Sequence, residues 1–432
     1  MCLTIPGKII SINNQTARVS LGGETRDVFM GTVKGAKIGD WILATGNIGV
    51  RKINARDARE IISLLEDSKQ INKNKIDLKL NDIFRRAWDR RLTKDDLLYL
   101  LRLQEDEDLA ALYSEANVMR KTILKDFICI HGIIEFSNYC QNDCAYCGLR
   151  SANRHLKRYR MTINEITAAA GKAIQRGYKL LVLQSGEDFF YSDDALAEIV
   201  RKIKEKNRVF IFMSVGERGY ECYKKLKAAG ASGVLFRYET SNPRLFKKLH
   251  PRGKNLARRL EHLKFMKELG FFIATGSLIG LPGQTEKDLL NDLLTTKKYA
   301  NMVSMGPFIP TADTPLAKSP HTEEIKNWKV RMNLKMIAIL RLLIPEARIP
   351  VVTALETLAG EDGRKQALHA GANSLMFNLT PAKYRPLYKI YGNKFYQKEN
   401  IWEKYGLFKY EESYKMLEER MAKELERNEK QN

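Results

Sequence analysis

Eight apolar runs rich in β-branched residues follow one another between residues 130 and 380, and helical patterns lie between them. The runs are Ile130–Ser137, Leu180–Ser185, Val209–Ser214, Val234–Glu239, Phe271–Ile279, Met302–Ile309, Ile349–Ala354 and Ser374–Thr380. Continuous rather than alternating apolar runs are typical of parallel strands that helices cover on their outer face. Eight consecutive βα units therefore predict an α/β fold, a closed (βα)8 TIM barrel. A doubly wound open sheet is the alternative arrangement of the same units.

The chain before the barrel has the pattern of a separate small β domain. Short runs rich in Val, Ile and aromatic residues alternate with Gly, Asn and Asp turns, which predicts an OB-like β-barrel over residues 1–66. Its strands are predicted at Lys8–Ile12, Ala17–Leu21, Arg26–Met30 and Trp41–Thr45, and a short helix closes it. A polar linker over 67–76, a barrel domain with N-terminal helices over 77–400 and a charged helical tail over 401–432 complete the predicted organisation.

The net charge and the hydropathy of the chain limit the classes of molecule that it is expected to bind. The 432 residues include 73 Lys and Arg against 51 Asp and Glu, a formal net charge of +22. The excess is spread over the chain and no nucleic-acid-binding motif is visible, so a lysine-rich solvated surface is the simpler interpretation and an anionic partner is the alternative. No run approaches the roughly eighteen apolar residues that cross a membrane, and no signal peptide is visible. We therefore expect a cytoplasmic protein that binds no membrane and no nucleic acid.

Three cysteines lie close together directly after the first predicted barrel strand. Cys140, Cys144 and Cys147 have the spacing C-x3-C-x2-C. Three thiolates on one loop can hold three irons of a 4Fe–4S cluster and leave the fourth iron open for a small molecule. Zinc is the alternative, but neither His131 nor His155 completes a usual zinc spacing. The motif therefore predicts an iron–sulfur centre.

Polar residues also end other predicted strands. Gln184 lies at the end of the second strand, Ser214 ends the third, and Arg237 and Glu239 lie at the end of the fourth. Active sites of (βα)8 barrels lie at the C-terminal ends of the strands, so we expect these side chains to converge with the cysteine loop. Glu239 and Arg259 could hold the two charged ends of a zwitterion such as an amino-acid moiety. A structural ion pair is the simpler alternative for them.

The cysteine motif in this position resembles that of the radical S-adenosylmethionine superfamily. More narrowly, several loops resemble the HydE family, radical enzymes of FeFe-hydrogenase maturation. The stretches that carry this resemblance are Glu135–Cys140, Cys147–Arg150, Leu156–Thr162, Leu183–Asp188, Gly280–Thr285, Gly306–Pro310, Asp313–Pro315, Tyr384–Arg385 and Leu387–Tyr388. Loop sequences shared at six strand ends are specific, because unrelated barrels do not share them.

The resemblance implies two cofactors, a 4Fe–4S cluster on the three cysteines and S-adenosylmethionine. Residues implied to bind S-adenosylmethionine are Tyr146 on the adenine side, Gln184, and, for the amino-acid part, Ser214, Glu239 and Arg259. Arg237, Thr353 and Tyr388 are implied to line a deeper substrate cavity. The implied substrate is organometallic, a cysteine-bound iron carbonyl–cyanide complex made by a companion maturase. The implied partners are companion hydrogenase maturases and a low-potential electron donor.

The sequence departs from the HydE pattern in two places. Some HydE proteins carry a second cluster on cysteines near the C-terminus, whereas the only cysteine after Cys147 is Cys222, so no second thiolate-bound cluster is expected. Val352 precedes Thr353 where the family often has another threonine, and Glu356 follows where a small residue is usual. The second group of changes falls in the substrate cavity and not in the S-adenosylmethionine site.

The front module has a resemblance of its own. Met1–Lys8, Gly22–Gly23 and Gly39–Leu43 resemble the HypC/HupF family, small β-barrel chaperones of NiFe-hydrogenase maturation. In that family the N-terminal cysteine handles an iron–cyanide unit together with a partner, so Cys2 is a possible iron ligand. The histidine of that family is missing, and Thr45 stands about where it would fall. Iron handling and docking both stay open as roles for this module.

The sequence therefore predicts a HydE-type maturase fused to a HypC-like module, with two alternatives. A methylornithine-synthase-like mutase, acting on an amino acid, would share the S-adenosylmethionine residues and differ in the cavity. A non-catalytic iron carrier or scaffold would use the barrel as a docking platform. Biotin synthase fits less well, because its sulfur-donating second cluster needs cysteines that this sequence lacks.

Overall fold

The structure is a computed structural model, and it describes residues 4–21, 24–31, 33, 35–45, 47–59, 61–62, 78–125, 128–395 and 419. The chain divides into two compact units, residues 1–78 and 79–432. Cys2, the whole predicted linker over 67–76 and the predicted tail over 401–432, apart from Glu419, lie outside the described residues. No helix in the described part of the chain is both long and apolar enough to cross a membrane.

The front unit is a small closed β-barrel. Its strands are β1 (Thr4–Asn13), β2 (Thr16–Leu21), β3 (Glu24–Phe29), β4 (Trp41–Thr45) and β5 (Ile48–Ile53). They close in the order β1-β2-β3-β5-β4 around a core that includes Ile9, Val19, Val28 and Ile42. The sequence did not predict β5, because most of its side chains are exposed and the apolar alternation is weak.

Within residues 78–125, which the structure describes without a gap, three helices precede the large barrel. They are α1 (Leu78–Trp88), α2 (Lys94–Arg102) and α3 (Asp106–Leu124). Thr93 caps α2 by accepting a hydrogen bond from the Asp96 N–H, and Asp96 accepts one from the Thr93 N–H in return. Asp96 also pairs with Arg86, which joins α1 to α2.

The barrel strands are all parallel and follow one another in chain order. They are β6 (Cys129–Ser137), β7 (Leu180–Ser185), β8 (Phe210–Ser214), β9 (Gly233–Leu235), β10 (Phe272–Thr275), β12 (Met302–Val303), β14 (Pro350–Val351) and β15 (Ser374–Asn378). A bridge between Met302 and Arg348 joins the two edges, and the Val303 N–H donates to the Arg348 carbonyl oxygen at 2.7 Å. The nearly closed barrel confirms the predicted fold, and the sequential strand order excludes the doubly wound alternative.

Four predicted runs are only partly strand. The fourth ends at Leu235, before Arg237 and Glu239, and the seventh gives way to a helix at Thr353. The fifth and sixth each divide, and their second halves pair with each other as β11 (Leu278–Ile279) and β13 (Gly306–Pro307). Chain that leaves the sheet near its C-terminal edge can turn side chains toward the barrel mouth.

Helices surround the barrel and an apolar cluster fills it. The helices are α4 (Ile163–Gln175), α5 (Asp193–Lys204), α6 (Tyr220–Ala228), α7 (Pro243–Leu249), α8 (Leu256–Glu268), α9 (Glu286–Tyr299), α10 (Glu323–Leu343) and α11 (Thr353–His369), which kinks at Gly360. A 3₁₀ turn follows at Arg385–Leu387. The cluster contains Ile133, Leu180, Val182, Phe210, Phe212, Phe272, Ala274 and Met302, which alternate along their strands as inward-facing residues do.

Candidate active site

A cavity of about 300 Å³ opens where the C-terminal ends of the barrel strands meet. Every barrel residue predicted for the site lies on its wall: Cys140, Cys144, Tyr146, Cys147, Gln184, Ser214, Arg237, Glu239, Arg259, Thr353 and Tyr388. Ile133, Leu235 and Met376 belong to or pack against the apolar cluster and line the same space, so this cluster forms the floor. One cavity thus brings together thiols, charged groups and an apolar floor.

Close backbone contacts fix the cysteine loop. At Gly186, directly after β7, a Cβ atom would lie 2.1 Å from the carbonyl oxygen of Tyr139 and 2.7 Å from Cβ of Cys140. At Gly148, directly after the third cysteine, a Cβ atom would lie 2.3 Å from the carbonyl oxygen of Lys389. Only glycine permits approaches of this kind. The end of β7 and the C-terminal segment therefore hold the loop from two sides.

The three thiols occupy a poorly solvated environment. Burial, together with the neighbouring Cys140, raises the pKa of Cys144 to about 12. Burial likewise raises the pKa values of Cys147 and Cys140. Such thiols stay protonated at neutral pH unless a cationic centre binds them.

The donor set of the cysteine loop fits a 4Fe–4S cluster. Cys140, Cys144 and Cys147 all line the cavity, so the loop offers three thiols there. In a 4Fe–4S cluster each thiolate binds its own iron, whereas a zinc site gathers its ligands around one centre. The residues present therefore fit the predicted cluster.

Tyr146 and His250 form a hydrogen-bonded pair beside the thiols. His250 Nδ1 lies 2.9 Å from the carbonyl oxygen of Phe246, which only accepts, so Nδ1 carries the proton. Nε2 then accepts from the Tyr146 hydroxyl at 3.1 Å. Burial, with Arg259 nearby, lowers the pKa of His250 to about 3, so the imidazole stays neutral. The pair fixes the orientation of Tyr146, and sequence reasoning had not selected His250.

Gln184 and Ser214 are cross-strand partners on β7 and β8. Gln184 Nε2 donates to Ser214 Oγ at 3.3 Å, a long hydrogen bond. Both side chains line the cavity at the edge where the two strands end. Their polar groups can therefore turn to a bound molecule at little cost.

Glu239 and Arg259 line the same cavity, but each is paired with another side chain. Glu239 Oε2 lies 3.1 Å from Arg237 Nη2, and Arg259 Nε lies 3.0 Å from Glu217 Oε1. Glu239 Oε2, Arg259 Nε and Glu217 Oε1 are buried and have no hydrogen-bond partner among the described residues. Buried polar atoms in this state are costly, and a ligand that supplied partners would remove the cost.

The backbone of Glu239 is strained. Its φ of 65° lies in the left-handed region, which non-glycine residues seldom adopt. Hydrogen bonds hold it there, because its N–H donates to the Gly276 carbonyl oxygen and its own carbonyl accepts from the Leu278 N–H. Such conformations cost roughly 1–3 kcal/mol and concentrate at functional sites. The strain is consistent with a role for this carboxylate in binding.

Glu217 and Lys254 lie behind the cavity wall, where they pair with the lining residues Arg259 and Glu187, and sequence reasoning missed them. Lys254 Nζ lies 2.7 Å from Glu217 Oε2 and 2.9 Å from Glu187 Oε1. Burial acts to raise the pKa of Glu217, but Arg259 and Lys254 hold it below its ordinary value. A weak signal was present, since Gly216 and Glu217 follow a predicted strand end as Gly186 and Glu187 do.

A second group of charges lies elsewhere on the cavity wall. Glu135 is buried on β6, where its carboxylate accepts from Asn378 Nδ2 at 2.8 Å and pairs with Lys394. Glu356 lines the cavity and forms a buried ion pair with Arg364. Nothing in the sequence marked Lys394, because it lies on a segment without regular secondary structure.

Family models match three parts of the chain. Residues 134–295 match the Radical SAM superfamily, residues 1–65 match the HupF/HypC family, and residues 304–423 match the Biotin and Thiamin Synthesis associated domain. The first two matches confirm the resemblances predicted from the cysteine motif and from the front module.

Two curated relatives cover most of the large unit. The [FeFe] hydrogenase maturase subunit HydE of Thermotoga maritima is 43% identical over 314 residues, which is 72% of this chain and 88% of that protein. A 3-methylornithine synthase of Methanosarcina acetivorans is 32% identical over 285 residues, 66% of this chain and 78% of that protein.

Solved structures show the same barrel. A methylornithine synthase structure superposes with a TM-score of 0.62 at 29% identity, covering 68% of this chain and 85% of that chain. The FeFe-hydrogenase maturase HydG from Carboxydothermus hydrogenoformans superposes with a TM-score of 0.61 at 21% identity, covering 74% and 76%, and at that identity supports the fold alone. Together with the cavity and its thiols, these similarities show that the chain is a radical S-adenosylmethionine enzyme and belongs to the HydE family, with a HupF/HypC domain at its N-terminal end.

Proposed function

We propose that this chain is an FeFe-hydrogenase maturase of HydE type, which cleaves S-adenosylmethionine reductively and acts on a cysteine-bound iron carbonyl–cyanide complex. The observation that carries the proposal is the single cavity, whose wall holds three thiols and two separate groups of buried charges. One group suits the amino-acid part of S-adenosylmethionine, and the other suits a second molecule that also carries an amino acid. The 43% identity to HydE supports this choice of substrate class.

Each wall of the cavity has a role in this proposal. The three cysteines hold the 4Fe–4S cluster, which when bound supplies the electron that splits S-adenosylmethionine into methionine and a 5′-deoxyadenosyl radical. Arg259 pairs with the methionyl carboxylate and Glu239 with the ammonium group. Tyr146, oriented by His250, packs on the adenine side, and Gln184 and Ser214 supply hydrogen bonds.

The remaining wall binds the substrate. Arg237, Thr353 and Tyr388 line the cavity and contact the substrate in this proposal, and the Glu135–Lys394 pair offers one charge of each sign. A cysteine ligand carries a carboxylate and an ammonium group that match these charges. The apolar floor excludes water, which protects a reactive radical from side reactions.

The decisive experiment compares substrates. Anaerobic, reduced protein is offered the iron–cysteine complex and, separately, a panel of free amino acids, and formation of 5′-deoxyadenosine is measured. Acceleration by the iron complex and by no amino acid supports the proposal. The second candidate, a methylornithine-synthase-like mutase, rests on the 32% identity to that enzyme, and acceleration by a free amino acid alone would favour it.

Thr353→Val is expected to impair use of the substrate without affecting the binding of S-adenosylmethionine. Thr353 is the first residue of α11 and lies on the cavity wall, and valine keeps its shape while removing the hydroxyl. We expect unchanged binding of S-adenosylmethionine and a loss of about 1–3 kcal/mol in use of the substrate, seen as a lower kcat/KM for the iron complex. Weaker binding of S-adenosylmethionine by this variant would mean that Thr353 contacts S-adenosylmethionine and not the substrate.

The proposal includes one cluster and defined partners. We propose that no second thiolate-bound cluster is present, because Cys222 is a buried residue of α6 and no cysteine follows it in the sequence. Companion hydrogenase maturases supply and receive the organometallic group, and a low-potential donor supplies the electron. We place these steps in the cytoplasm, where thiols such as Cys140 stay reduced.

We propose that the front module serves maturation and not catalysis in the barrel. Cys2→Ser in the full chain should leave S-adenosylmethionine cleavage by the purified protein unchanged, because every described residue on the cavity wall lies in the large unit. If the module handles iron, the variant should lower hydrogenase activation only when companion maturases are present; if it only docks a partner, that activation should also be unchanged. Loss of cleavage by the purified variant would contradict the proposal.

A further inference from the structure

Two segments that are distant in sequence flank the cysteine loop. Residues 141–160 contain the loop and its continuation, and residues 243–254 contain α7 and the turn after it. The Ala145 N–H donates to the Leu249 carbonyl oxygen at 2.8 Å, and Arg252 Nη1 donates to the Gln141 carbonyl oxygen at 3.0 Å. These bonds involve positions beside Cys140 and Cys144. The two segments therefore share the surface that lies against the cluster loop.

This shared surface is strongly basic. The two segments contain ten Lys and Arg and one acidic residue, Asp143, whereas the whole chain contains 73 against 51. Asp143 is neutralised by Arg150 at 2.8 Å and lies 3.6 Å from Arg252. Arg160 pairs with Asp188, and Lys254 pairs with Glu187 and Glu217. The charge excess therefore rests on the exposed cations, which are Arg154, Lys157, Arg244, Lys247, Lys248 and Arg252. This ratio of basic to acidic residues is higher than an even distribution of charge over the chain would give. The concentration of positive charge is visible only in the folded protein, where the two segments lie together.

The neighbouring loop does not cancel the charge. The Leu316 N–H donates to the Ala145 carbonyl oxygen at 3.1 Å, so residues 311–321 also border the cysteine loop. That stretch carries one exposed acid, Asp313, and one exposed cation, Lys318. The basic surface thus extends over the outer side of the loop that holds the cluster ligands.

We propose that this basic surface, formed by residues 141–160 and 243–254, docks a small acidic one-electron carrier protein that reduces the cluster. The inference rests on the proposed function and specifies its electron donor. A reduced [2Fe–2S] ferredoxin gives up one electron and the cluster takes it up, with no proton or leaving group involved. Electron transfer slows steeply with distance, so a donor must dock near the ligand loop. Complementary charge directs such encounters and makes them sensitive to salt.

The surface suits a protein better than a nucleic acid. Single-stranded nucleic acid binds to basic grooves that also offer exposed aromatic side chains for base stacking. Within the described residues, the exposed large aromatic side chains are at Phe29, Trp88, Phe189, Phe190, Tyr220 and Trp328, and none lies on either segment. Phe190 packs on Arg160 at the edge of the surface, so one exposed ring borders it, whereas the two segments themselves carry charge without exposed aromatic side chains.

The test reverses charge on α7 and uses α9 as a matched control. One variant combines Arg244→Glu, Lys247→Glu and Lys248→Glu, and the other combines Lys287→Glu, Lys297→Glu and Lys298→Glu. Both sets are exposed, change the net charge equally and remove two lysines from the last turn of a helix. Binding of oxidised ferredoxin is measured by titration, and 5′-deoxyadenosine formation is measured with reduced ferredoxin and with dithionite.

We expect the α7 variant to bind ferredoxin at least about tenfold more weakly and to lose ferredoxin-driven activity to a similar extent. Its dithionite-driven activity should stay within about twofold of the parent, because that reductant needs no docking surface, and the α9 variant should resemble the parent in every assay. Unchanged ferredoxin binding by the α7 variant, or equal losses with both reductants, would overturn the inference. Absence of dithionite-driven activity in the parent would contradict the proposed function instead. The binding titration would still test whether ferredoxin docks on the basic surface.

Discussion

Replacing any one of Cys140, Cys144 and Cys147 with alanine is expected to abolish formation of 5′-deoxyadenosine. Each thiol lines the cavity and would hold one iron, so loss of one ligand leaves a cluster that cannot keep a single open iron for S-adenosylmethionine. The loop is already fixed by contacts at Gly148 and Gly186, so the fold should survive the change. The measurement is product formation by reconstituted protein under anaerobic conditions with dithionite.

Two buried cysteines provide controls for this result. Cys222→Ala and Cys129→Ala remove thiols that are more fully buried than those of the loop and that lie on α6 and at the start of β6, not on the cavity wall. Both variants should keep most of the activity. In a chain that carries Cys2→Ser and keeps the three loop cysteines, iron analysis should give about four irons per chain. The EPR signal of this protein should change when S-adenosylmethionine is added. Eight irons, bound zinc, or activity in a triad variant would contradict the assignment.

The fold could be predicted because its main signals are local. Each barrel strand is a short apolar run between helical patterns, and parallel strands joined by helices have one preferred hand. The ends of strands were less predictable. Arg237 and Glu239 continue an apolar run in the sequence, yet β9 ends at Leu235, and Glu239 adopts a left-handed conformation that no residue pattern reveals.

The site could be predicted where one residue type carries a recognisable spacing or ends a strand. The cysteines and Ser214 satisfied this condition. Glu217, Lys254 and Lys394 did not, because their roles depend on partners that are distant in sequence: Lys254 bridges two glutamates from different strand ends, and Lys394 reaches Glu135 from the C-terminal segment. The basic surface beside the cysteine loop was hidden for the same reason.

Arg259→Ala and Glu239→Ala are each expected to weaken S-adenosylmethionine binding by about 2–5 kcal/mol without loss of the cluster. Each change removes one charge that would face a zwitterion in a water-poor cavity. Neither should leave a stranded partner, since Glu217 keeps Lys254 at 2.7 Å and Arg237 keeps the Ser277 carbonyl oxygen at 2.8 Å. The measurement is equilibrium binding of S-adenosylmethionine to cluster-loaded protein.

Arg160→Ala is the matched control for these two variants. Arg160 lies at the barrel mouth in a comparable ion pair, 2.8 Å from Asp188, but it is not on the cavity wall. The Arg160→Ala variant should therefore bind S-adenosylmethionine with the same affinity as the parent protein. Weaker binding by all three variants would indicate a general effect of lost ion pairs at the mouth. Unchanged binding by both Arg259→Ala and Glu239→Ala would mean that the pairs with Glu217 and Arg237 are structural and that the methionyl group of S-adenosylmethionine does not bind to these two side chains.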